Sequence, residues 1–411
     1  MQASAEAEVR ARIRELGRVT FAKFAEIALY HPTTGYYCRV RAAGAPADYF
    51  TAPMAHPVFG ALLAIQAERM WQLLGSPSRF HVVEMGAGTG GMARDLLDYA
   101  ARLRPAFHRS LRYLALDRAP APAAAHLGAP GAVRLRARGV PLRGIVGCFL
   151  SNELLDSFPA HRVQVQGGSL REVYVVEERG RLVEVLGDPS TPLLEERLSR
   201  LGFSLPEGYR GEVNLGIGPW IREVSGALQR GFVVTIDYGD EAMQLYSPRR
   251  SGGTLQTYYR HTGGASPYRR VGEQDITAHV DFSLVAAEGE TLGLRRVALV
   301  TQADYLKQLG TGGMMERLRR ALLTQRVLSE NRMGMLELVR PEGMGGFKVL
   351  VQERGTGVGA KSELLPLRRE GHEPSPEVPL LQAHHVPLMA GRYPHATWDL
   401  EHLWPPEAGP P

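Results

Sequence analysis

Apolar residues recur at the three- and four-residue spacing of amphipathic helices over positions 3–16, 21–29, 57–74 and 92–103. A turn-rich stretch, 31–53, separates the second of these from the third. Elsewhere the pattern contracts to brief apolar runs bounded by turn residues, at 80–85, 111–117, 132–136, 145–151, 231–237, 293–299 and 346–353. Such runs are the buried strands of a doubly wound α/β sheet, here of seven strands. Residues 158–213 break the rhythm with short alternating runs at 162–166, 172–177 and 182–186, the mark of antiparallel hairpins, and then a helix near 193–201. Beyond Gly355 no period remains, and Pro, Gly and His dominate, as in Glu373-Pro374-Ser375-Pro376.

The chain therefore divides into an N-terminal helical extension at 1–78, an α/β core at 79–157 and 214–354, an inserted α+β subdomain at 158–213, and a poorly packed tail at 355–411. Within the tail, Trp398 and Trp404 are aromatics suited to docking.

Composition narrows the class. With 411 residues, 44% of them hydrophobic, the chain can bury a large core. The 48 Lys and Arg are interspersed with 43 acids, so the net charge of +5 gives no reason to expect nucleic acid. Cys38 and Cys148 stand far apart, and no His or Cys cluster has ligand spacing, so neither a disulfide nor a metal is expected. Residues 1–17 carry Glu6, Glu8 and Glu15 without an apolar signal core, and no run approaches the roughly 20 residues of a bilayer span. The expected location is the cytoplasm, without membrane insertion.

Chemistry enters at 82–91, Val-Val-Glu-Met-Gly-Ala-Gly-Thr-Gly-Gly, which reads as strand, glycine turn and helix. Gly86, Gly88 and Gly90 let a ligand approach bare backbone. Gly86, Gly88 and Gly91 also satisfy G-x-G-x-x-G, with Asp117 ending the next strand as a ribose acceptor, so a dinucleotide competes for the loop with S-adenosylmethionine (AdoMet). Glu84 favours AdoMet, because a carboxylate repels a pyrophosphate and attracts an ammonium and a sulfonium. A tight turn without any ligand fits the same spacing.

Two further polar clusters follow apolar strands. Ser151-Asn152-Glu153-Leu154-Leu155-Asp156 leaves the fourth strand, and Asp237-Tyr238-Gly239-Asp240 leaves the fifth, both at the edge where cofactor loops lie. Methyl transfer from a sulfonium requires alignment and exclusion of water, and a carboxylate such as Glu153, with Asn152 and Asp156, can hold a forked guanidinium. Ser151 and Asn152 would equally serve as a helix cap. Asp237 and Tyr238 are expected to face the cleft. Residues 275–282 alternate polar and apolar positions, which places Asp275, Thr277, His279 and Asp281 on one face of a strand, with His279 a structural group more readily than a base.

Taken in order, these segments resemble the MidA-like family of AdoMet-dependent methyltransferases, whose mitochondrial members assist respiratory complex I assembly and methylate a protein arginine. The resemblance is carried by Leu29-Tyr30-His31-Pro32, Gly35-Tyr36-Tyr37, Asp48-Tyr49-Phe50-Thr51-Ala52-Pro53, Phe59-Gly60, the 84–90 loop, Ser151 through Pro159, Asp237-Tyr238-Gly239, Gly253-Thr254-Leu255 and Asp275 through Phe282, over about residues 20–353. It implies a class I, Rossmann-like methyltransferase fold. It also implies AdoMet as cofactor at Glu84, Gly86, Gly88, Gly90 and Asp117, with Asp48, Thr51 and Pro53 in a segment folded over it. The acceptor element is Asn152-Glu153. The expected activity is methylation of an arginine in a partner protein, with a respiratory-complex subunit as a candidate partner. A small-molecule methyltransferase and a non-catalytic AdoMet-binding assembly factor are the alternatives. Met54 stands where the family usually has Glu, Arg118-Ala119-Pro120 replaces its usual Ser-Pro, and the tail has no counterpart in it.

Overall fold

The computed structural model describes residues 4–39, 50–118, 131–259, 262–264, 266–358 and 377–388. Asp48, Trp398 and Trp404, singled out above, lie outside the described residues.

Seven strands build the central sheet: β1 (Phe80–Met85), β2 (Leu111–Asp117), β3 (Ala132–Arg136), β4 (Ile145–Asn152), β5 (Leu228–Asp237), β6 (Arg295–Thr301) and β7 (Lys348–Arg354). Their spatial order is β6-β7-β5-β4-β1-β2-β3. All neighbours from β5 to β3 are parallel, whereas β7 runs antiparallel to both β5 and β6. Alternation within the strands sends side chains to two cores. Val82, Leu150, Val234 and Val351 join one cluster, and Val83, Phe149, Val233 and Leu350 join the other.

The N-terminal helices are α1 (Ala5–Leu16) and α2 (Phe21–Tyr30). Ser4 caps α1 by accepting the Ala7 N–H, Gly17 ends it at φ 77°, and Thr20 caps α2 through the Lys23 N–H. Their apolar faces, including Val9, Ile13, Phe21 and Phe24, pack with Val173, Val175 and Leu182 of the inserted segment. That segment is an antiparallel sheet of His161–Gln166, Ser169–Glu178, Arg181–Gly187 and Arg210–Val213, to which Val19–Thr20 adds a short fifth strand. After the turn at 31–39 come the short helix α3 (Ala52–Ala55), then α4 (Val58–Leu73) and, beyond β1, α5 (Gly91–Ala100).

Two sequence expectations change. Residues 275–282 form two short strands in different sheets, Asp275–Thr277 and Val280–Asp281, and a helix begins at Phe282. Asp281 caps that helix by accepting the Leu284 N–H at 3.0 Å, so it does not share a strand face with Asp275. Residues 377–388, expected in a poorly packed tail, dock on the core, where Val378 and Leu380 pack against the larger cluster.

Candidate active site

The four parallel strands β1, β2, β4 and β5 end side by side. Register sets Met85 against Leu116 and Ser151, and Asn152 against Ile236, so the segments that follow leave the sheet at one edge.

After β1, Gly86, Gly88 and Gly90 take φ values of 75°, 49° and 83°, which glycine adopts without the cost a Cβ imposes. Gly86 also needs its small size, since a Cβ there would lie 2.9 Å from Leu154 Cδ1. Gly86, Gly88 and Thr89 are exposed, and among the described residues nothing lies within 4 Å of a Cβ built on Gly88. Helix α5 starts directly behind them without a side-chain cap, leaving its first N–H groups to a ligand or solvent. Asp117, at the end of β2, accepts the Gly88 N–H at 2.8 Å. Arg134 of β3 donates to the Gly88 carbonyl, a clamp the sequence reading missed because nothing in strand spacing marks it.

Glu84 is 2% exposed and accepts the Tyr113 hydroxyl at 2.8 Å. Burial pushes its pKa up to about 8, against the opposing pull of that hydrogen bond and of Arg134. A cation arriving at the loop would reverse that shift.

Beyond β4 the chain turns at Glu153, whose φ of 49° is unusual for a residue with a side chain and costs of order 1 kcal/mol. The turn is held from β5. Glu153 N–H donates to the Ile236 carbonyl at 2.9 Å. Asp237, fully buried, accepts the N–H groups of Leu154 and Leu155 at 3.1 and 2.9 Å on Oδ2 and that of Tyr238 at 2.9 Å on Oδ1. Glu153 Oε1 accepts Asn152 Nδ2 at 2.9 Å and the Ala52 N–H at 3.3 Å. The turn 51–53, with Thr51 and Pro53, therefore lies against the acceptor element Asn152-Glu153. The Tyr238 hydroxyl donates to Asp156 Oδ2. Asp156 Oδ1 and Asn152 Oδ1 are buried without a hydrogen-bond partner among the described residues.

Tyrosines from the N-terminal segment rim this cluster. Tyr37 donates to Asp275 Oδ1 at 2.8 Å and stacks on Tyr30 with ring centroids 5.4 Å apart. The Gly35-Tyr36-Tyr37 motif was visible in the sequence, but its place beside Asp275 depends on a contact across the fold. His279 packs edge-on against Tyr238, and burial, then Arg250, lowers its pKa. It stays neutral and structural.

The electrostatics of the turn are one-sided. Asp156 and Asp237 are buried and Glu153 is half-buried at the opening. Among the described residues none of the three pairs directly with a Lys or Arg, and Arg118 stands at the rim, 4.3 Å from the centre of the Tyr30 ring. Burial, then the Asp156 charge, raises Glu153 to about 8; burial raises Asp156 to about 6; burial, Asp156 and Glu153 together raise Asp237. Such a group favours a cationic ligand.

The strand order, the antiparallel seventh strand and an exposed glycine turn after β1 define a class I AdoMet-dependent methyltransferase. The sequence pattern of the Methyltransf_28 family, described as S-adenosyl-L-methionine-dependent methyltransferase, matches residues 62–300, and the chain belongs to this family. It is similar to the mitochondrial protein arginine methyltransferase NDUFAF7 homolog of Drosophila melanogaster, 26% identical over 85% of this chain and 84% of that protein. The human protein arginine methyltransferase NDUFAF7 is 25% identical over 73% and 71%. Among solved structures, a COG1565 superfamily member from Burkholderia thailandensis bound to S-adenosyl-homocysteine superposes with a TM-score of 0.76 at 29% identity, covering 88% of this chain and 94% of that one.

AdoMet is the cofactor. The buried Glu84, whose pKa burial raises, and the open space over Gly88 fit its cationic methionine end. The expected cytoplasmic location is corrected by the same comparisons, since the Drosophila and human relatives are mitochondrial proteins. That expectation leaned on the acids near the N-terminus, and in the folded chain Glu6 and Glu8 serve α1 itself, pairing with Arg10 and Arg12. Among the described residues no helix is long and apolar enough to cross a membrane.

Proposed function

We propose that this methyltransferase transfers the AdoMet methyl group to an arginine side chain of a partner protein. The observation that supports the reading most is the group Glu153, Asp156 and Asp237, carboxylates held close together, none of which pairs directly with a Lys or Arg among the described residues. A guanidinium about 4 Å from one carboxylate gains roughly 4 kcal/mol of gross attraction at an effective dielectric near 20. Its planar fork also suits the open acceptor atoms Asp156 Oδ1 and Asn152 Oδ1. The names of the Drosophila and human relatives point to the same acceptor. A respiratory-complex subunit is the partner class that the family resemblance implies.

Bound AdoMet supplies a methyl group on a sulfonium, which leaves as a neutral thioether. The residues of this chain do the rest. Glu84, Gly86, Gly88, Gly90 and Asp117 would hold the cofactor, with Thr51 and Pro53 in the segment folded over it. Glu153 and Asp156 orient the guanidinium so that one nitrogen faces the methyl carbon, and Asn152 fixes Glu153 from the side. Methyl transfer to that nitrogen would leave one N–H proton surplus. The charge of a bound guanidinium would lower the Glu153 pKa from its value near 8 in the free protein, so that the ionised carboxylate is placed to accept that proton at neutral pH. Tyr238 holds Asp156. Asp237 has both oxygens occupied by backbone N–H groups, so it positions the 154–156 turn and does not itself touch the acceptor.

Incubation with tritiated AdoMet and a lysate from cells lacking the gene, followed by mass spectrometry of labelled proteins, tests this reading. Methylarginine in a protein band is the expected result. Label confined to the low-mass fraction would indicate a small-molecule acceptor. If no label transfers although AdoMet binds, and Glu153→Gln leaves the cellular phenotype unchanged, the protein acts as an AdoMet-binding assembly factor.

A further inference from the structure

We infer that the C-terminal segment 377–388 is part of the active site, and that His385 is a positioning residue which anchors this strap beneath the α3 turn that holds Glu153. The inference rests on the role of Glu153 proposed above.

Helix α3 is four residues long and has no side-chain cap. A helix this short does not hold itself together in water. Its two ends are fixed by different partners. At the N-terminal end, Ala52 N–H donates to Glu153 Oε1. At the C-terminal end, the Met54 carbonyl accepts the Val386 N–H at 3.0 Å. His56, which follows the helix, shares Asn331 Oδ1 with the strap: His56 Nε2 lies 2.9 Å from that oxygen and Leu381 N–H donates to it at 2.8 Å. The strap thus grips the turn from below, and the turn presents its free N–H to Glu153 above.

His385 holds the strap in place. Its side chain is wholly buried, and its Nε2 lies 2.9 Å from Asp95 Oδ2, while His384 Nε2 lies 3.1 Å from Oδ1 of the same carboxylate. Asp95 sits where α5 packs closely on α4, so that a Cβ on Gly60 would stand 2.5 Å from Asp95 Cβ. An aspartate flanked by two histidines suggests a cation site, and these three residues are close enough to form one. One hydrogen bond argues otherwise. The Gln382 N–H donates to His385 Nδ1 at 3.0 Å, so a neutral His385 carries its proton on Nε2 and donates it to Asp95. That nitrogen has no lone pair to offer a metal. The cluster is a clamp of donors on a carboxylate, immediately before the residue that pins Met54.

Loosening the strap should release Ala52 from Glu153. The Ala52 hydrogen bond is one of the contacts that lower the Glu153 pKa, so its loss moves the carboxylate further toward the protonated form.

Amide exchange at Ala52, followed in the full-length chain by mass spectrometry or NMR, reads this coupling without any acceptor. His385→Ala should speed Ala52 exchange by about tenfold or more while the amides of β1 and β4 keep their protection. His385→Gln, which retains an N–H donor toward Asp95, should restore most of it. His385→Ala and Glu153→Ala should be non-additive in a double-mutant cycle, because both remove one contact. Additive effects, or an Ala52 amide indifferent to His385, overturn the inference. Should His385→Ala fail to fold, Val386→Pro removes the N–H given to Met54, while also fixing φ at 386, and carries the same expectation. In the transfer assay, His385→Ala should lose up to about 100-fold in rate, the cost of a small misplacement, with its pH profile displaced to higher pH. Full transfer by Glu153→Gln would instead remove the functional reading of Glu153 and leave the exchange result standing.

Discussion

The Tyr238 hydroxyl donates to Asp156 Oδ2 while Asp156 Oδ1 stays buried with no partner among the described residues. A carboxylate satisfied on one side only is suited to receive a donor from a ligand on the other. Tyr238→Phe removes the hydroxyl and keeps the ring against His279 and Phe347. Asp156, already at about 6 through burial, then rises further, because the hydrogen bond that lowered it is gone. The acidic limb of the pH–rate profile should move to higher pH. Turnover at neutral pH should fall about tenfold to a hundredfold, the worth of one charge-assisted hydrogen bond of ~1.5–3 kcal/mol, with AdoMet affinity by calorimetry unchanged. A profile that superimposes on the parent's would take Asp156 out of the acceptor site.

Glu153→Gln tests the proton acceptor. The amide oxygen can still accept from Asn152 and Ala52, so the turn should survive. Transfer should drop by at least about 100-fold, the usual contribution of a positioned acid or base, with AdoMet binding retained. Because burial disfavours the charged carboxylate in the free protein, the variant should also be more stable than the parent at pH 8. A destabilised Glu153→Gln would mean that the charge is already compensated in the folded protein.

The central sheet was legible because its signal is local. Runs such as 80–85 and 111–117 are apolar on both faces and stop at Gly or Asp, so strand ends are marked in the sequence. The glycine turn and the acids after β4 and β5 were readable for the same reason. The helices Gln302–Leu309, Thr311–Arg320 and Gln325–Val339 were not anticipated, since each buries only a sparse stripe, such as Met314 and Leu318 within a run of Gly and Arg. Asp281 shows the limit of strand alternation: a polar residue at the right spacing is a helix cap when an apolar helix follows. Arg134 on the Gly88 carbonyl, Tyr37 on Asp275 and His385 on Asp95 join positions far apart in the chain, and no period in one sequence encodes such a pairing.

Gly86 and Gly88 should separate stability from cofactor binding. Alanine at either position meets a left-handed backbone, costing about 1 kcal/mol. At Gly86 it also meets Leu154 Cδ1 at 2.9 Å, whereas at Gly88 the space is open. Gly86→Ala should therefore lower the denaturation midpoint more than Gly88→Ala does. Gly88→Ala should be the more selective defect, losing AdoMet affinity through a methyl placed where the backbone faces the ligand. Equal AdoMet affinity in Gly88→Ala and the parent would place the cofactor elsewhere on the sheet edge.

Glu84 makes stability depend on pH in a defined direction. An unfolded glutamate releases its proton near 4.5, and the folded Glu84 near 8. Between those values the folded chain holds a proton that the unfolded chain has lost, so folding is favoured by acid and weakens as pH rises, by about 1.4 kcal/mol per pH unit for each such group. The contribution is complete below 4.5 and gone above 8. Glu153 acts in the same sense over the same window. Urea unfolding at pH 5, 6, 7 and 8 should show stability declining with pH, and Glu84→Gln should remove about one proton's worth of that slope. Saturating AdoMet should flatten the parent's slope, because a cation beside Glu84 returns its pKa toward the ordinary range, and should leave the slope of Glu84→Gln nearly unchanged. A parent slope indifferent to AdoMet would mean that the cofactor's charge does not reach Glu84.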